Sequence, residues 1–212
     1  MLNRDIYLKT PEKNRLANNG VAEVSEDHSE AAQSVLRYEL ETFVCDGQYE
    51  EGLATILARY LSSLDSGSEQ PGFWISGFFG SGKSHLAKML RTLWTDYTFS
   101  DGATARSLAT LPVSVTDSLK ELAVRSKAHG GLHAAAGKLG AGAGDRVRLA
   151  LLGIVFKSAG LPEQYAQARF VMWLKHEGLY DQVQTELKAQ KRSLEQELPH
   201  LYVSSHLAKA LL

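Results

Sequence analysis

One spacing in this chain points to a chemistry: Gly77-Phe78-Phe79-Gly80-Ser81-Gly82-Lys83-Ser84. It fits the pattern G-x-x-x-x-G-K-[ST], the phosphate-cradling P-loop. Gly77 and Gly82 permit backbone angles that a residue with a Cβ resists, so successive amide N–H groups can turn into one concavity. A helix N-terminus behind that concavity adds its own attraction for phosphate. Lys83 brings a positive charge to the β- and γ-phosphate oxygens, and Ser84 offers its hydroxyl to Mg²⁺. The expected ligands are therefore the phosphates of a nucleotide and Mg²⁺. The expected binding residues are Gly77, Phe78, Phe79, Gly80, Ser81, Gly82, Lys83 and Ser84, with Ser84 on the metal; no catalytic residue is assigned. With glycine near 7% of average sequence, a chance match in a chain of this length is roughly a one-per-cent event.

Other residues that invite chemistry have plainer readings. His85 could touch a phosphate or a base, but its place inside the helix reads as an ordinary helix-face residue. Phe73 and Trp74 could stack on a base, but read as core residues beside a sheet. Gly140, Gly142 and Gly144 lack the third glycine of a dinucleotide site and read as a turn. Cys45 reads as a packed, inert thiol. Lys188, Lys191 and Arg192 are interleaved with Glu186, Glu195 and Glu197, so they read as a solvated helix face. The seven histidines include no metal-ligand spacing. A hydrolysing P-loop protein also needs an acid at the end of a second core strand. Asp96, Asp101, Asp117, Asp145 and Asp181 all lack an apolar run upstream.

The elements that must position the loop follow from periodicity. Residues 1–28 read as an irregular leading segment, with a short Val21–Val24 alternation suggesting an edge strand. Ala32, Leu36, Leu40 and Phe43 share one helical face, and Gly47 marks a stop. Leu53, Ile56, Leu57, Tyr60, Leu61 and Leu64 form the stripe of a second amphipathic helix over 49–64. Residues 65–72 break the pattern. Phe73-Trp74-Ile75-Ser76 reads as a buried strand leading into the loop, and a helix over 83–95 follows. Ser118 with Glu121 resembles a capping box that opens a later helix. Leu132–Ala136 suggests a second core strand. Asp145 is placed to cap a helix through Phe156, Pro162 to sit in the first turn of another that ends at Gly178, and a charged helix is expected over 180–197. The organisation expected is a leading segment (1–28), a helical lead-in (29–64), a nucleotide-binding core (65–160) and a helical C-terminal part (161–212). The fold class expected is α/β: an incomplete P-loop NTPase-like strand–loop–helix core, preceded by two amphipathic helices and followed by mostly helical chain.

Composition bounds the partners. The chain has 212 residues, 44% hydrophobic and 22% charged, in the range of soluble globular proteins. Its 23 basic and 24 acidic residues leave a net charge of −1, which gives no support to a DNA contact or an anionic membrane surface. A single cysteine fits a reducing compartment. The longest apolar run, Leu149–Phe156, is far short of the roughly 20 residues that span a bilayer. No signal-peptide core appears after Met1. A cytoplasmic location is expected.

The stretch from Gly72 through Leu86 is more particular than a generic P-loop. It resembles the opening of the large P-loop ATPases of bacterial BREX phage-defence systems, the BrxC/PglY family. Arg4-Asp5-Ile6, Asn14-Arg15, Gly20-Val21 and Val24 resemble that family's leading segment, and Tyr38-Glu39-Leu40 its first helix. Leu174 through Tyr180 resembles a later helix–glycine–tyrosine stretch. The resemblance is tight over 72–90, fair over 1–71 and loose over 130–190. It implies the N-terminal AAA-like ATPase module of a much longer protein, with ATP and Mg²⁺ as ligands. It also implies work beside other defence proteins, a DNA methyltransferase among them, and leaves room for an oligomer. Only Gly77, Gly80, Gly82, Lys83 and Ser84 carry over as site residues.

Other readings stay open. A P-loop phosphotransferase for a small molecule would need arginines clustered soon after the loop, whereas Arg125, Arg146 and Arg148 are scattered. A nucleotide-gated module that binds without hydrolysis, or a truncated product, would each account for the missing acid. On the first reading, the ATPase module, this chain is expected to bind Mg-ATP and to hydrolyse little of it alone.

Overall fold

The computed structural model describes residues 29–66, 72–139 and 146–212. The Val21–Val24 alternation, the leading segment, the Gly140–Gly144 turn and Asp145 lie outside these. Among the described residues there is no strand and no sheet; one isolated antiparallel bridge joins Thr98 and Thr104. This corrects the expected α/β strand–loop–helix core. Phe73–Ser76 is extended but unpaired, and Leu132–Ala136 is irregular. Phe73, Trp74 and Ile75 are 40%, 92% and 39% exposed, where a core strand would be buried. A strand exists only through its ladder partners, and a four-residue apolar run carries no information about whether they are present. No described helix is long and apolar enough to cross a membrane.

The chain divides into two compact units, Met1–Ala134 and Ala135–Leu212. The division falls within the stretch read as a single nucleotide-binding core.

The first unit holds five helices among its described residues: α1 (Glu30–Glu41), α2 (Gly47–Ser66), α3 (Lys83–Thr95), α4 (Ala105–Leu108) and α5 (Val113–Ser126). Ser29 caps α1 by accepting from the Ala32 N–H at 3.2 Å. The two lead-in helices and the helix after the loop follow the expected periodicity, except that Gly47 opens α2 where a stop was read at the end of α1. Leu40, Leu53, Leu57, Leu61, Leu86, Met89 and Leu93 are buried with Val115, Leu119 and Leu122 of α5. Burying one such leucine contributes about 1.5–3 kcal/mol, so this stripe-on-stripe packing holds the unit without a sheet. Tyr60 of α2 meets Trp94 of α3 edge to face at 4.5 Å between centroids. The capping box read at Ser118 is not there: α5 begins five residues earlier and runs through it, because Pro112 already supplies the break. The box forms instead at Thr104 and Ser107, opening α4.

Arg106 of α4 is the polar tie of this unit. Its guanidinium donates to the carbonyls of Leu93 and Trp94 at 2.8 Å each and of Leu119 at 2.9 Å. Its backbone N–H donates to the Asp96 carboxylate at 3.0 Å. In the last turn of α3 the Leu93 carbonyl also accepts from the Asp96 N–H at 3.3 Å, so the guanidinium adds to the capping of α3 while reaching across to α5. Arg125 plays a similar part at the far end of α2, donating to the Leu61 carbonyl at 3.1 Å and to Asp65 at 2.7 Å.

The second unit contains α6 (Val147–Ser158), α7 (Tyr165–His176), α8 (Tyr180–Ala189), α9 (Leu194–Glu197) and α10 (Ser205–Ala210). Val171, Leu174, Val183, Leu187, Leu198 and Leu207 form its core. The single charged helix expected over 180–197 is broken after Ala189. Lys191 takes a left-handed φ of 56°, and a capping box at Ser193 and Gln196 opens α9. Pro162 precedes α7 by three residues and lies outside its first turn.

Arg106→Met keeps much of the side-chain volume and removes three charge-assisted donors. A loss of about 2–3 kcal/mol of unfolding free energy is expected, read from a chemical denaturation midpoint. An unchanged midpoint would show that the tie contributes nothing.

Candidate phosphate-binding site

Residues 77–82 form the turn between the extended segment and α3. Gly82 stands at the helix N-cap in the left-handed region, with φ 81°. Having no side chain, it brings no acceptor of its own to the first N–H groups of α3, which therefore remain available to an anion. Gly80 is also left-handed, with φ 81°, so the chain can reverse twice within three residues. Phe78 and Phe79, at the tip, are 90% and 103% exposed. Their side chains point away into solvent, so the loop uses only their backbone.

Lys83 is the first residue of α3, and its side chain folds back over the loop. Its Nζ donates to the carbonyls of Gly77 at 2.8 Å and Phe78 at 2.6 Å, and lies 3.3 Å from Ser81 Oγ. Among the described residues no carboxylate pairs with it. The ammonium is thus held at the loop by neutral dipoles, which an anionic ligand can outcompete. Ser84, the next residue, is exposed. Loop, ammonium and hydroxyl are brought together in the order the spacing implies, although the strand expected to precede them is missing.

The support that a sheet would have supplied comes from α1, α2 and the turn between them. The Tyr49 hydroxyl, from the first turn of α2, donates to the Ser81 carbonyl at 2.8 Å. A Cβ on Gly82 would meet that same hydroxyl well inside van der Waals contact. Tyr49 packs edge to face on buried Phe43, with centroids 6.4 Å apart, and Phe43 meets the His85 ring at 5.8 Å. This row of rings runs under the loop and the first turn of α3. Tyr49 escaped the sequence reading because nothing local links it to a residue 32 positions away.

His85 belongs to that support. Its Nδ1 lies 3.9 Å from Glu39, which also pairs with Lys88. Burial pushes its pKa below the usual 6.5, while Glu39 pulls it upward. The neutral ring is thereby favoured, packed against Phe43. Cys45 is buried, and burial likewise raises its thiol pKa, in keeping with an unreactive packed residue.

The loop opens into a cavity of about 780 Å³ between α2 and residues 73–78. Lys83, Ser81 and Gly77 line it at one end. Glu51 is the acid among its lining residues, and it sits on a helix where the strand acid of a hydrolase was sought. Among the described residues no cluster of three or more His, Cys, Asp or Glu could by itself hold a metal ion. No protein-family model matches this chain, and no solved structure matches it.

Two substitutions probe the support. Gly82→Ala must adopt the left-handed region, at about 1–2 kcal/mol, and displace the Tyr49 hydroxyl as well. Tyr49→Phe keeps the ring on Phe43 and removes only the hydrogen bond to Ser81. Both are expected to speed amide hydrogen exchange over residues 77–85 while leaving α5 protected. Unaltered exchange in Tyr49→Phe would show that the hydroxyl does not hold the loop.

Proposed function

We propose that this chain binds a nucleoside triphosphate with Mg²⁺, ATP being the expected nucleotide. The amides of residues 77–82 and the Lys83 ammonium hold the phosphates, and the Ser84 hydroxyl reaches the metal. The observation that carries this reading is the Lys83 ammonium folded over the Gly77 and Phe78 carbonyls, at the start of a helix, with no carboxylate partner among the described residues. The match of Gly77–Ser84 to the P-loop pattern supports it independently. The resemblance of Gly72–Leu86 to BREX-type phage-defence ATPases supports a place in such a system, beside other defence proteins in the cytoplasm.

Binding with little hydrolysis is the form of the activity best supported for this chain. Turnover needs an acid or polar group to align water, and commonly an arginine against the transition-state charge. Ground-state binding alone does not lower the chemical barrier. Of the arginines that follow the loop, Arg106 is engaged by the Leu93, Trp94 and Leu119 carbonyls, and Arg125 by Asp65, Glu121 and the Leu61 carbonyl. That observation favours a binding module over a small-molecule phosphotransferase.

Calorimetric titration with Mg-ATP tests the reading. Lys83→Ala is expected to weaken binding at least about tenfold, the equivalent of losing a charge-assisted hydrogen bond of about 1.5 kcal/mol or more, with an unchanged melting temperature of the free protein. Ser84→Ala is expected to weaken binding with Mg²⁺ and to leave it unaltered in EDTA. Phosphate release should stay near the blank. Equal affinity in wild type and Lys83→Ala would remove the loop as the phosphate site.

A further inference from the structure

We infer that the groove between α2 and residues 73–76 is the nucleoside half of this site, taking the planar base and ribose of the nucleotide whose phosphates occupy the loop. The inference rests on the phosphate-binding reading of the loop and adds where the rest of the ligand lies. Continuity is the first argument. The same cavity of about 780 Å³ is lined by Lys83 and Ser81 at one end and by α2 and the extended segment beyond them. Its volume lies within the few hundred to about 1,000 Å³ typical of small-molecule sites.

The wall chemistry is the second argument. Gln48, Tyr49, Gly52, Thr55 and Ile56 of α2 face the groove at spacings of one helical face. This gives a wall of Tyr49, Gly52 and Ile56 with the Gln48 amide, the Thr55 hydroxyl and the Glu51 carboxylate beside it. The opposite wall is Phe73, Trp74 and Ile75, which carry no sheet and remain solvent-exposed. Aromatic rings left open beside a phosphate loop are suited to stacking on a base, a contact every base can make through its π-face.

The third argument is Gly52. Glycine in a helix interior is disfavoured relative to alanine, yet here it lines the groove, and a Cβ added to it would meet nothing within 4 Å among the described residues. The space it keeps clear adjoins Tyr49 and Ile56 on the same face. A flat ring can lie against the helix there, and a larger side chain would occupy its place. Packing among the described residues leaves that space open, and a ligand seated in the groove would fill it.

The test compares Mg-ATP with Mg-tripolyphosphate, which shares the phosphates and lacks the nucleoside. Wild type is expected to bind ATP at least about tenfold more tightly, with Trp74 fluorescence responding to ATP and not to tripolyphosphate; Trp74→Phe identifies that signal. Gly52→Leu should abolish the ATP advantage, keep the tripolyphosphate affinity, and melt no lower than wild type. Trp74→Ala, at an exposed position with no folding role, should lose part of the same advantage. Equal affinity of wild type for the two ligands would overturn the inference while leaving the phosphate site standing. So would an undiminished ATP advantage in both variants. Failure of wild type to bind either ligand would remove the phosphate site and this inference with it.

Discussion

The hydrogen bond from the Tyr49 hydroxyl to the Ser81 carbonyl is the contact on which the candidate site depends. A glycine-rich turn has little intrinsic preference for one shape, because each glycine can visit both halves of backbone space. Something outside the turn must select the conformation in which its amides converge. Here that role falls to a side chain from the start of α2, set by buried Phe43, which also contacts the first turn of α3 through His85. The loop, the helix behind it and the helix beneath it are joined through one short row of rings.

The electrostatics of the site follow from that placement. The Lys83 ammonium is bound by two carbonyls and a hydroxyl oxygen, all uncharged. A carboxylate partner would have made it part of an ion pair, and a polyphosphate would then have to displace a full negative charge. Glu39, the carboxylate beside His85 in the first turn of α3, is engaged by Lys88. The acidic groups close to the loop are thus either committed elsewhere or, like Glu51, on the groove wall.

What the sequence made legible follows the range of the interactions involved. Helical stripes such as Leu53, Leu57 and Leu61 repeat within a few turns, so α1, α2 and α3 could be read directly. The turn into α3 could be read because Gly80, Gly82 and the start of the helix at Lys83 are neighbours in sequence, and the chemistry proposed for it rests on eight consecutive residues. The sheet was misread because Phe73–Ser76 matches a strand in residue type, while ladder partners would have to come from elsewhere in the chain. Its aromatic residues, first taken as core, proved to be open surface for the same reason. The break at Lys191 was hidden because a lysine in the left-handed region leaves no mark in composition, although Ser193 and Gln196 were available as a capping signal. Tyr49, Arg106 and the Gly52 groove were invisible because each depends on residues brought together only by folding.

Arg106 gives α3 a mechanical character. The helix has 13 residues, about 20 Å at 1.5 Å rise per residue. Its far end is anchored by three guanidinium hydrogen bonds that also grip α5. Its near end is held as well, by His85 on Phe43 and by buried Leu86 and Met89. The helix is therefore a beam clamped at both ends, and because Arg106 makes α5 part of the far clamp, the position of Lys83 is referred to α5 as well as to the loop.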